Sequence, residues 1–343
     1  MELSKSTITY AHAKLKIEDF WNRGITGQGI KIGIVDDGME PHDAINLAGG
    51  YACGANTTYL VGHYHAMHCA GIAAGKNIQN GEPVGIAPDA SIYSIRMYYK
   101  TYSDRIKSLI EAIDYAVEEG IDILSMSIHI NENSSDQHSS SAHSGTPKHL
   151  RLALRNAFHK AYLNGIIIFV AAGNRAYTDG EVRDNIEFLE LLPKQPNVVA
   201  VANMTMDDVR RSTSGVGDFV DISGYGTSIR ATNVNNGYAT RTGTSMSTPQ
   251  IAGVYALYKQ LFTDLSPQEV LEKMFDNCVT LPNVTKQEQG RGVPMPPEEL
   301  YNRNLVPEAV GQLRVYSGYT WKAIDAYYKY GNTWKEMEAV VNG

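Results

Sequence analysis

Residues 150–174 read LRLALRNAFHKAYLNGIIIFVAAGN. Leu150 to Leu163 carries the spacing of an amphipathic helix, and Gly165 ends it. Ile166 to Ala172 is then a continuous apolar run. A strand of that composition has no face suited to water, so it belongs in a sheet covered on both sides. Gly173 and Asn174 follow at its carboxyl end.

The same unit recurs outward from this stretch. Arg105 to Glu119 places apolar residues at Ile106, Leu109, Ile110, Ile113, Ala116 and Val117, and Gly120 closes the helix before a strand at Ile121 to Met126. Ile30 to Val35 reads as a buried strand ending at Asp36-Asp37-Gly38, and Val198 to Ala202 is a further strand. Repeated strand–helix–strand units predict an α/β fold, three layers deep, with a mainly parallel central sheet. Sites in such sheets gather at the carboxyl ends of strands, where Asp36 and Asn174 both fall. Gly27 and Gly29 precede the first strand instead of following it, so they cannot cradle a dinucleotide.

The chain has 343 residues, 43% hydrophobic and 20% charged, with a formal charge of −7. That balance argues against a nucleic-acid partner and against an anionic membrane surface. Cys53, Cys69 and Cys278 are too few and too scattered for a disulfide framework or zinc cluster, and read as reduced structural thiols. No run is long and apolar enough to serve as a signal segment or membrane span, so the expected location is cytoplasmic, with release by lysis or non-standard export left open. Residues 131–149 form a Ser/His-rich interruption. His129, His138, His143 and His149 match no compact ligand spacing, and no metal is expected there.

Chemistry concentrates elsewhere. Gly243 to Pro249 (GTSMSTP) sets Ser245 at the start of an apolar helix, where unpaired N–H groups and the helix dipole favour developing negative charge. Pro249 suits a first turn, where its missing N–H costs little. His65-Ala66-Met67-His68-Cys69 offers a base, with Cys69 one helical turn beyond His65. Each segment alone has a plain structural reading as a cap, a turn or packing.

Together, in the order Asp, His, Ser, these segments resemble the subtilisin-like serine proteases. The Asp-Asp-Gly turn and the Cys-Ala-Gly after His68 look like the kexin and proteinase K branches. The resemblance spans roughly residues 8 to 303, which sets an expected peptidase domain at 1–303 and an appendage at 304–343. It implies a serine endopeptidase acting on an extended peptide or unfolded protein, with no cofactor for catalysis. By position, Ser245 is the nucleophile, His65 the base, Asp36 its orienter and Asn174 the oxyanion donor. His68 is then structural and Cys69 a buried thiol. Ser127, Ile128, His129 and Gly173 fall on the substrate-binding segments, with His129 where a glycine is usual. The acids between Asp179 and Glu190 either favour basic residues at the cleaved position or are ordinary surface charges.

Three features depart from the family or extend it. Ala66 and Met67 replace its usual Gly-Thr and either crowd the substrate or repack. An impaired, protease-fold binding protein is therefore the alternative function. Little sequence precedes Trp21, so no prodomain is expected, and Asp43 and Asn77 match positions that could hold a structural calcium. The appendage reads as two short helices, Thr320 to Tyr330 and Thr333 to Val341. It is expected to dock a partner or, as a LysM-like half module, a cell-wall glycan.

Overall fold

Seven strands, β1 (Lys31–Asp36), β2 (Leu47–Ala52), β3 (Ser91–Arg96), β4 (Ile123–Met126), β5 (Ile167–Ala171), β6 (Val198–Asn203) and β7 (Ile222–Gly224), form one sheet in the order β2-β3-β1-β4-β5-β6-β7. Every pairing in it is parallel. The computed structural model describes residues 8–78, 81–128, 148–174 and 195–302, together with the backbone of four short strands between 316 and 337. The strand expected at 166–172 is thus β5, between β4 and β6 and buried along its whole length.

The two faces of the sheet feed two separate cores, as alternation along a strand requires. Ile32, Ile34, Ile167 and Phe169 pack on one side with α3 (Tyr64–Ala74) and α6 (Thr244–Leu261). Val35, Leu124, Met126, Ile168 and Val170 pack on the other with α4 (Tyr102–Glu118) and α5 (Lys148–Leu163). The short α1 (Tyr10–Lys14) and α2 (Ile17–Trp21) add Ala11, Ile17 and Phe20 to the first core. Helix α6 is buried from Met246 to Tyr258, with Tyr255 and Tyr258 among the largest enclosed side chains. Burying one such side chain contributes about 1.5–3 kcal/mol. β8 (Ile229–Asn233) and β9 (Gly237–Arg241) form an antiparallel hairpin that leads into α6. No helix among the described residues is long and apolar enough to cross a membrane.

The chain divides into two compact units, Met1–Leu300 and Tyr301–Gly343. The second unit corrects the sequence reading. Tyr316–Ser317 pairs with Thr320–Trp321, and Ala326–Tyr330 pairs antiparallel with Thr333–Met337, where two short helices are expected. Tyrosine, tryptophan and threonine favour strands, and Tyr330 faces Thr333 across Gly331-Asn332, a sequence suited to a two-residue hairpin connection. The two expected helices are thereby replaced by paired strands.

Candidate active site

Asp36 ends β1 and is 1% exposed. One carboxylate oxygen, Oδ1, accepts the Asp37 N–H at 2.8 Å, which fixes the plane of the group. The chain then turns through Gly38 at φ +100°, where a Cβ would stand 3.1 Å from the carbonyl oxygens of Tyr59 and Val61. Only glycine takes that turn without strain.

His65 is the second residue of α3, and its Nδ1 lies 2.7 Å from Asp36 Oδ2. The carboxylate only accepts, so Nδ1 carries the proton and Nε2 presents a lone pair outward. Burial alone would lower the pKa of His65. The charge and hydrogen bond of Asp36, aided by Asp37, outweigh that and leave it raised above its ordinary 6.5, with Arg241 opposing. His68 differs from it. Its Nε2 donates to the carbonyls of Ile229 and Ala239 at 3.1 and 3.0 Å, tying α3 to the β8–β9 hairpin, and burial pulls its pKa down to about 4. It is a neutral structural group.

Ser245 is the second residue of α6, half-buried, in the turn whose N–H groups have no acceptor within the helix. Asn174, which follows β5 by three residues, reaches this turn. Its Oδ1 accepts the Thr244 N–H at 2.8 Å and the Thr244 hydroxyl at 3.1 Å. With Oδ1 committed as acceptor, donation from the amide is left to Nδ2. Gly243 donates to the Gly226 carbonyl, and a Cβ on Gly226 would stand 2.4 Å from the Gly243 carbonyl oxygen and from Ser247 Oγ. Pro249 is the sixth residue of α6, not part of its first turn as the sequence reading had it, and its missing N–H has a consequence taken up below.

The remaining expected residues fall as follows. Ala66 and Met67 are fully buried in the core beneath α3, so they repack and do not crowd a substrate. Ser127 and Ile128, just past β4, are both buried, and the Ser127 hydroxyl donates to the Ser245 carbonyl at 3.0 Å. The Gly173 carbonyl accepts the Gly215 N–H. His129, His138, His143 and the acids between 179 and 190 lie outside the described residues, and His149 is exposed on α5. The segments holding Asp43 and Asn77 meet through a bridge between Ile45 and Gly75 and a bond from Lys76 N–H to Ala44 O. Among the described residues, His, Cys and acidic ligand atoms converge only at Asp36-His65-Cys69 and Asp36-Asp37-His63. Cys53 and Cys69 are buried free thiols, and burial pushes Cys53 up to about 12.

The sequence offers Asp37 as a carboxylate competing with Asp36, but two charged contacts escape it, that of Asp37 with His63 and that of Arg241 with Tyr64. Asp37 lies 3.3 Å from His63 Nδ1 and lines a cleft of about 320 Å³ with Arg96, Tyr98 and Tyr99. Arg241, at the end of β9, stacks its guanidinium 4.3 Å from the Tyr64 ring centroid, immediately before His65. Neither signal is local, since each pair is joined by the fold.

A parallel α/β sheet with an acid-bound histidine on one helix start and a serine on another defines a serine endopeptidase framework. Comparison with known proteins agrees. The subtilase family model matches residues 27–292. The chain belongs to the subtilase family. It is 32% identical to the minor extracellular protease Epr of Bacillus subtilis (strain 168) over 80% of this chain, and spans only 39% of that protein's length. It is 27% identical to subtilisin DY of Bacillus licheniformis, covering 80% of this chain and 93% of that one. The crystal structure of MycP1 from Mycobacterium smegmatis superposes with a TM-score of 0.67 over 86% of this chain and 85% of the other, at 19% identity. That likeness is one of fold.

Proposed function

We propose that the chain hydrolyses peptide bonds within extended or unfolded polypeptides through an acyl-enzyme, with Ser245, His65 and Asp36 as its triad. Ser245 Oγ attacks the scissile carbonyl while His65 Nε2 takes its proton. Asp36 holds the imidazole in the required tautomer and stabilises the imidazolium. The negative oxygen of the tetrahedral intermediate is held by Asn174 Nδ2 and the Ser245 N–H. His65 then passes its proton to the leaving amine, and water repeats the sequence to release the acid. The observation that carries this reading is the 2.7 Å Asp36–His65 bond on a helix whose Cys69, one turn beyond His65, reaches the carbonyl of a serine in another helix's first turn. The burial of Ala66 and Met67 removes the main sequence ground for an impaired binder.

Hydrolysis of a denatured protein by the parent and by Ser245→Ala tests it. The expected loss is on the order of 10⁶-fold, the size known for subtilisin itself. Equal cleavage by both proteins overturns the mechanism.

A further inference from the structure

In an α-helix the N–H of residue i+4 donates to the carbonyl of residue i. For Ser245 that donor is residue 249, a proline, which has no N–H and whose ring presses on that carbonyl. The helix therefore cannot satisfy the backbone of its own serine. Two side chains from other elements do so. Ser127 Oγ donates to the Ser245 carbonyl at 3.0 Å, and Cys69 Sγ does so at 3.4 Å. Both donors are buried. Cys69 sits one turn beyond His65 on α3, and Ser127 immediately follows β4, the strand paired with the one that ends in Asp36. One carbonyl oxygen thus ties the serine's helix to the helix that bears His65 and to the strand paired with the one that ends in Asp36.

We propose that Ser127 and Cys69 are positioning residues that replace the helix bond Pro249 deletes and thereby hold Ser245 in attack geometry. This rests on the peptidase reading above. Burial raises the Cys69 thiol well above its ordinary value, so the sulfur keeps the proton it donates. The Ser245 peptide plane is fixed on the carbonyl side of the Cα that bears Oγ. Small misplacements of a reacting atom are expensive in rate, so the contribution falls on turnover more than on substrate affinity. The alternatives behave differently. A Ser127 that only contacts substrate changes KM, and one that only fills space changes stability.

The discriminating experiment is a double-mutant cycle between Ser127→Ala and Pro249→Ala, read as kcat, KM and the rate of fluorophosphonate labelling of Ser245. Alanine at 249 restores a backbone N–H aimed at the Ser245 carbonyl. Ser127→Ala in the parent is expected to lower kcat and labelling roughly three- to tenfold with KM little changed, and Ser127→Thr to recover most of it. In the Pro249→Ala background the same change is expected to cost under about twofold. Should Ser127→Ala fail to fold, Cys69→Ala against Pro249→Ala runs the same cycle from the second donor, with a smaller effect because sulfur donates weakly. Equal losses in both backgrounds, or a change confined to KM, overturn the proposal while the parent still cleaves and labels. A parent that neither cleaves nor labels overturns the peptidase reading itself, and the positioning role with it.

Discussion

Helix α4 starts from Thr101, whose hydroxyl accepts the Asp104 N–H at 3.1 Å, and the helix Pro267–Asp276 starts from a reciprocal box between Ser266 and Glu269. The helices that carry His65 and Ser245 start differently. Their N-caps are His63 and Gly243, and neither side chain caps anything. Thr244 is served by Asn174 from 70 residues away, and the Ser245 carbonyl by Ser127 from 118. In α4 and Pro267–Asp276 the helix start is completed by a neighbour in sequence, whereas the first residues of α6 are completed by remote segments. In that first turn the Thr244 N–H goes to Asn174 and those of Met246 and Ser247 to the Gly243 carbonyl, which leaves the Ser245 N–H for the oxyanion of the proposed mechanism.

The largest break in that contrast comes from the remote partner of His65. Asp36→Asn keeps the shape but removes the charge and puts an NH2 donor where one acceptor oxygen stood, favouring the wrong His65 tautomer, and kcat is expected to fall about 10⁴-fold with the fold intact, measured by peptide hydrolysis beside circular dichroism. Asn174→Ala removes both the anchor of Thr244 and the proposed oxyanion donor. A loss of roughly 10²–10³ in kcat is expected, the order known for subtilisin, and an unchanged kcat would separate Asn174 from the chemistry. Thr101→Ala probes the self-finished class. It should lower stability by about 1 kcal/mol in urea unfolding and leave kcat alone.

The smallest effects are electrostatic. His65 must be neutral to act as base, and its pKa is raised, so the acid limb of kcat/KM is expected above pH 6.5. Asp37 raises that pKa and Arg241 lowers it. Asp37→Asn should therefore move the limb to lower pH and Arg241→Gln to higher pH, and shifts of the same sign would refute the assignment.

The same contrast explains what the sequence revealed. Strand β5 and helix α5 were legible because burial on two faces, or on one stripe, leaves a period in the chain. Asp36, His65, Asn174 and Ser245 were legible through family motifs, and the geometry brings Asp36 to His65 and Asn174 to the helix start at Thr244. The donor role of Ser127 and the stack of Arg241 on Tyr64 were not, because each joins residues far apart in the chain. The helices of the appendage were misread because Tyr-rich segments have no strong helical stripe, and strand propensity decided the backbone of its paired segments.

Helix α6 is enclosed by the sheet and by α3, and it comes late in the chain. During synthesis, a polypeptide extended only to residue 174 already holds Asp36, His65 and Asn174, the proposed acid, base and oxyanion donor, but lacks Ser245, the proposed nucleophile. The serine arrives seventy residues later, inside a segment that must be swallowed by a nearly finished interior. Non-local closure of that kind is slow. Timing is therefore written into the connectivity: in the proposed mechanism, hydrolytic competence waits for α6, which follows all seven strands of the central sheet.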